Sequence, residues 1–154
     1  MVRTKRPATP EERIRDLRKE LRAFDSEPPS AQRAARLALF TRAAHEDRQL
    51  NMAMHTASMC LEDDPDAPSL LVEAYTSRGD HEDRLSALGD LRDLGRYIER
   101  PDIRAVAEER LRETALDWVT AASDGERRYR LRTVQSLTSR EVADSIRDEL
   151  SYQS

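Results

Sequence analysis

Cysteine is almost missing from this sequence: Cys60 is the only one, so the chain cannot form an internal disulfide. Absence of cross-links is compatible with a reducing cytoplasm, and a cytoplasmic location is expected. Glycine is scarce, with four residues at 79, 89, 95 and 125. None of them cluster, so no phosphate-cradling loop can be assembled. Aromatic residues make up 5% of the chain, with a single tryptophan, Trp118. Long apolar runs are also missing. The longest, such as Leu37 to Phe40, are about four residues, against the roughly 20 that a membrane-spanning helix needs. A basic N-terminus is present, but no apolar segment follows it, so no secretory signal is expected.

The residues that would carry chemistry are equally thin. Histidine occurs at 45, 55 and 81. His45-Glu46 is not followed by the second histidine of a zinc-protease helix, and there is no Gly-x-Ser-x-Gly elbow. The acidic run Glu62, Asp63, Asp64, Asp66 invites a calcium reading. A calcium loop starting at Asp64 would place glycine at position 69 and glutamate at 75. Ser69 and Tyr75 stand there, and a solvated turn is the better reading. Cys60 lies in an apolar helical pattern and reads as a buried thiol. No catalytic, cofactor-binding or metal-ligating residue is predicted, and the protein is not expected to be an enzyme.

Helix formers dominate instead, with 19 Ala, 17 Leu, 24 Arg and many Glu, while Ile and Asn are rare. That composition favours helix over sheet. The excess of Arg over Lys, 24 to 2, matches GC-rich coding, and guanidinium recognition of phosphate or carboxylate is the functional alternative. A chain of 154 residues suits one domain. Residues 1–8 read as a flexible basic arm, and 9–152 as a single all-helical domain.

Helix boundaries can be placed by caps and breakers. Thr9, Pro10 and Glu12 form a start signal with a capping box, followed by an apolar face at Ile14, Leu17, Leu21 and Phe24. Pro28-Pro29 stops that helix and Ser30 caps the next. The stretch to Pro65 holds either one long helix or, preferably, two antiparallel ones near 30–45 and 48–63, because the polar run His45 to Gln49 interrupts the apolar face. A helix near 68–78 ends at Gly79. Asp80 caps another carrying Leu85, Leu88, Leu91 and Leu94, with Gly89 inside it at a close crossing and Gly95 ending it early. Pro101 opens the strongest helix, reaching about Ala122 with Trp118 as a core anchor. Tyr129 to Val134 alternates briefly like a strand but is placed on a helix. A capping box from Thr138 to Glu141 opens the last helix. The result is an all-α helical bundle or short stack of antiparallel helical hairpins, with seven or eight helices.

Residues 34 to 96 resemble tetratricopeptide repeats, which pack two helices in each 34-residue unit. Leu37, Phe40, Ala53 and Pro65 fall on family positions in a first repeat, and Leu71, Tyr75, Gly79, Leu88 and Leu91 in a second. Arg84 departs from a position for a small residue, and Arg96 from the terminal proline. The resemblance implies a peptide-binding or scaffolding role. Leu137, Thr138, Glu141, Val142 and Ala143 resemble the first helix of helix-turn-helix domains. A recognition helix must follow such a segment, and this stretch is read as a capped terminal helix.

Charge is uneven. Residues 62–83 carry a net charge of −7 and the remainder +3. Two binding readings follow. In the first, the chain is a non-catalytic protein-interaction or scaffold module, possible as a homodimer, with Met52, Met54, Leu71 and Tyr75 lining an apolar groove. In the second, Arg3, Lys5 and Arg6 of the arm and the cluster Arg127, Arg128, Arg130 and Arg132 contact the phosphates of a nucleic acid. The net charge of −4 weighs against the second.

Overall fold

The structure is a computed structural model that describes residues 6–153. Among them lie eight α-helices and no strand: α1 (Pro10–Ser26), α2 (Ala31–Glu46), α3 (Leu50–Asp63), α4 (Ala67–Tyr75), α5 (His81–Tyr97), α6 (Pro101–Thr120), α7 (Asp124–Leu137) and α8 (Arg140–Gln153). The stretch to Pro65 is two helices, as preferred from the sequence. The chain divides into two compact units, one through Leu70 and one from Leu71, with the division inside α4.

The first unit is built on the α2–α3 hairpin, with α1 packed against α2. The buried residues where α2 and α3 meet are mostly small: Ala34, Ala38, Thr41 and Ala44 on one helix, Ala53, Thr56, Ala57 and Cys60 on the other. Small side chains let the two backbones come close. The Thr41 and Thr56 hydroxyls then hydrogen-bond each other at 2.8 Å, and the Cys60 thiol donates to the Ala34 carbonyl at 3.2 Å. Leu37 and Phe40 supply bulk, and Phe40 meets Phe24 of α1 edge to face with centroids 5.6 Å apart.

One buried arginine ties the three helices together. Arg33 Nε and Nη2 donate to the two carboxylate oxygens of Asp63 at 2.6 and 2.8 Å, and Nη1 donates to the carbonyls of Phe24 and Glu27 at 3.0 and 2.6 Å. The side chains of this pair are 7% and 0% exposed, so almost no water competes. Hydrogen bonding to Asp63 raises the Arg33 pKa above the ordinary arginine value, which keeps it charged despite burial. Phe24 and Glu27 lie at the C-terminal end of α1, where helix carbonyls run short of intrahelical donors; Phe24 O also accepts from the capping Glu27 N–H at 3.1 Å. Pro28 and Pro29 have no N–H to offer them. Arg33 thus closes α1, opens α2 and holds the end of α3.

The second unit is built on the α5–α6 hairpin, with α7 and α8 packed on it. Leu85, Leu88, Leu91 and Leu94 of α5 and Ile103, Ala107, Leu111 and Ala115 of α6 are fully buried. Gly95 does not end α5 early. It lies inside the helix, where a Cβ would stand 3.0 Å from the Arg104 nitrogen and 3.1 Å from Ile103 Cγ2. Gly89 sits under the end of α7, where a Cβ would be 3.4 Å from the Leu137 carbonyl oxygen. That is an ordinary contact distance, so the crossing does not itself demand glycine.

The two hairpins turn in the same way. Arg48 and Glu99 take left-handed φ angles of 60° and 55°, and no other non-glycine residue among those described has a positive φ. In each turn the following amide reaches back to close the helix, Gln49 N to Ala44 O and Arg100 N to Gly95 O, both at 2.8 Å. This is a Schellman closure with a side chain where glycine is usual. The burial pattern repeats with the turn: Leu37, Phe40 and Ala44 in α2 match Leu88, Leu91 and Gly95 in α5. The hairpin partner of α5 is α6, not the α4 implied by the tetratricopeptide pattern.

Other local expectations shift by small steps. Asp80 and Asp83 form a complete capping box at the start of α5. At α1 only half of one forms: Thr9 accepts from Glu12 N, while the Glu12 carboxylate takes Arg6 at 2.7 Å. Ser139, not Thr138, caps α8 by accepting from Val142 N, and the Thr138 hydroxyl donates back to the Val134 carbonyl. Helix α4 stops at Tyr75, earlier than 78, with Gly79 (φ 95°) in the loop that follows.

Three outcomes follow. Replacing Arg33 by Met strands Asp63 and the α1 carbonyls and should lower stability by about 3–5 kcal/mol in chemical denaturation. Arg48→Gly and Glu99→Gly should each raise it by about 1 kcal/mol by relieving the left-handed turn, whereas Gly95→Ala should lower it despite alanine's better helix propensity. Burial, reinforced by Asp63 and Asp64, pushes the Cys60 thiol up to about 12. The folded chain then holds this proton while the unfolded chain releases it near the ordinary ~8.5, so stability should fall as pH rises through that range. Alkylation of Cys60 at mildly alkaline pH should be limited by unfolding, and fast alkylation of the native protein would contradict its burial.

Candidate functional site

An open groove of about 810 Å³ lies on the second unit. Helix α6 contributes Arg104, Ala105, Glu108, Glu109 and Arg112; α5 contributes Arg92 and Arg96; the start of α8 contributes Ser139, Glu141, Val142 and Ser145. Periodicity explains the convergence. Arg92 and Arg96 are four apart on α5, and Arg104, Glu108 and Arg112 run at the same interval along α6. Side chains at that spacing share one helix face. The hairpin turn brings these faces together, and α8 packs against α6.

The groups in the groove differ in how far they are satisfied. Arg104 Nε donates to Glu108 at 3.1 Å. Arg92 is mostly buried, its side chain 16% exposed, and its Nε forms an ion pair with the Asp93 carboxylate at 3.5 Å without a hydrogen bond. Among the described residues, no ion pair or side-chain hydrogen bond engages Arg96, Arg112, Glu109 or Glu141. With Arg104 paired to Glu108 and Arg92 to Asp93, the groove presents two exposed guanidiniums, Arg96 and Arg112, and two exposed carboxylates, Glu109 and Glu141, without a protein partner among the described residues.

A second, smaller concavity of about 270 Å³ is lined by His81, Arg84, Arg110, Glu113, Thr114 and Asp117. Beside it, two side chains lie against Trp118. His81 stacks on it with centroids 6.2 Å apart and planes within 11°, and the Arg130 guanidinium lies 5.2 Å from the ring centre. Arg130 also donates to the Trp118 carbonyl and to Glu126. This arrangement fastens α7 to the end of α6.

The residues singled out in the sequence fall as follows. Leu71 and Tyr75 are 0% and 2% exposed and belong to the core, so neither lines an open apolar surface. Met52 and Met54 are half-buried on α3. Arg3 and Lys5 lie outside the described residues, and Arg6 pairs with Glu12. Within the arginine cluster, Arg127 stands 3.6 Å from Asp124 and Arg130 is engaged on Trp118 and Glu126, whereas Arg128 and Arg132 are exposed. His55 lies 3.6 Å from Asp25 at the surface. No three His, Cys, Asp or Glu side chains converge among the described residues, and no described helix is long and apolar enough to cross a membrane.

The groove residues were not picked out from the sequence. One signal was available: Arg84 and Arg96, the two departures from the repeat pattern, both line concavities. Comparison with protein-family models, with curated proteins and with solved structures found no match.

Proposed function

We propose that the protein is a non-catalytic interaction module that binds another protein through the polar groove on α5, α6 and α8. The unpaired charges of that groove are the observation that carries this reading. Arginine is among the residues most enriched where proteins recognise each other. A groove of about 810 Å³ is roomy enough to hold part of a partner chain. Helical hairpins serve as scaffolds in the tetratricopeptide and related families, and each unit of this chain is built on one such hairpin, although not in the pairing of the tetratricopeptide pattern. A second copy of the chain is a possible partner, and action in the cytoplasm belongs to the same proposal.

The nucleic-acid reading has less support. It rests on Arg3, Lys5 and Arg6 of the arm and on the Arg127 to Arg132 cluster; among the described residues, Arg6, Arg127 and Arg130 already face acidic side chains. Of those described, Arg128 and Arg132 remain, a small footprint for a chain of net charge −4.

The test is affinity capture from the native host, with and without nuclease, using the wild-type chain and the double variant Arg96→Glu/Arg112→Glu. Capture of a protein partner should survive nuclease and be lost in the variant. Capture that vanishes with nuclease, with nucleic acid co-purifying, would contradict the proposal.

A further inference from the structure

We infer that α7 is a strap across the α5–α6 hairpin, a helix that melts and re-forms on its own while α5 and α6 stay folded. Opening it uncovers the Trp118 ring where Arg130 lies on it.

Four features make α7 a weak helix. The first is burial. Of its 14 residues only Val134 is buried, against six each in α5 and α6. Helices in proteins draw most of their stability from a packed apolar face. On α7 that face is thin: Tyr129 is 64% exposed, and Leu131 and Leu137 are half-buried. The second is the cap. Ser123 stands at the N-cap, but its side chain accepts no hydrogen bond from the first turn, whereas Thr9, Ser30 and Asp80 each do so at their own helices.

The third is Gly125 in the first turn. Glycine loses more backbone freedom on folding than any other residue. Gly95 is justified by its close neighbours across the hairpin. At Gly125 a Cβ would meet nothing within 4 Å, and the backbone is not left-handed. Neither space nor turn geometry requires glycine there, so it weakens α7 with no gain in packing. The fourth is charge. Arg128 and Arg132 are both exposed and four apart, a spacing at which like charges repel along a helix. The pairs Asp124–Arg127 and Glu126–Arg130 offset part of this.

What fastens α7 is concentrated at Arg130. Its guanidinium lies 5.2 Å from the centre of the Trp118 ring and donates to the Trp118 carbonyl, in the last turn of α6. Both ends of the strap are held. Helix α6 precedes it, and α8, which follows, packs on α6 and buries Ala143 and Ile146. With its ends fixed, α7 opens by melting in place. The α5–α6 seam has its own apolar side chains, from Leu85 to Leu94 and from Ile103 to Ala115, and stays closed.

The experiment is native-state hydrogen exchange on the full chain, read amide by amide by NMR. The α7 amides should exchange as a group, with protection at least about tenfold below that of the central amides of α5 and α6. Gly125→Ala should raise α7 protection roughly two- to fivefold, and Arg130→Met should lower it by about fivefold or more. Gly95→Ala strains the α5–α6 seam in the closed and the open state alike. It should therefore lower protection in α5 and α6 and leave α7 unchanged. Should Gly95→Ala not fold, low urea on the wild-type chain makes the same distinction, because melting one helix exposes little surface. Protection in α5 and α6 should then fall with urea while that of α7 barely moves. Equal protection in all three helices, α7 losing protection in step with α5 and α6, or no response of α7 to Gly125→Ala and Arg130→Met, overturns the inference.

Discussion

A helix that reverses direction within three residues forces its last turn against the first turn of the next helix, and this constraint governs both halves of the molecule. Arg48 and Glu99 accept a left-handed backbone so that Gln49 and Arg100 can close the preceding helices. The cost of placing a Cβ there, about 1–2 kcal/mol per residue, is offset by burying the seam that follows. The seam must then be narrow at the turn, which is why Ala44 and Gly95 stand at matching places. In the second unit the same reversal sets Arg92 and Arg96 beside Arg104 and Arg112. The groove is a consequence of how the hairpin closes.

Arginine plays two opposite roles in the two units. Arg33 is buried with four donor contacts met, two by Asp63 and two by helix-end carbonyls. Such a residue is a structural joint, and removing either partner leaves an uncompensated buried charge. Arg92 is mostly buried and pairs with its chain neighbour Asp93 at 3.5 Å, while Arg96 and Arg112 are exposed and have no ion pair among the described residues. Trp118 shows a third use, with Arg130 lying on the ring and pinning α7 to α6.

Most of the fold was legible in the sequence because caps, breakers and apolar spacing are local. Thr9, Ser30, Asp80 and Pro101 open helices as read, and the split between α2 and α3 follows from the polar run at His45 to Gln49. Gly95 was misread as a stop because its purpose, clearance for Arg104 and Ile103, depends on a residue beyond the turn. The pairing of α5 with α6 instead of α4 is likewise a tertiary choice that helical periodicity cannot express. Leu71 and Tyr75 show the limit for surfaces: an apolar residue on an amphipathic helix fits core and docking groove equally well in sequence, and here both are core. The candidate site was hidden for the complementary reason. With 24 arginines spread along the chain, only the meeting of three helix faces separates those in the groove from those merely in solvent.

The most direct measurement is hydrogen exchange at the Gln49 and Arg100 backbone amides, followed by NMR. The account predicts that both exchange slowly, because each closes the preceding helix by donating to Ala44 O or Gly95 O at 2.8 Å. Exchange at both amides as fast as in an unstructured peptide would show that the turns are open and that the hairpins are held some other way.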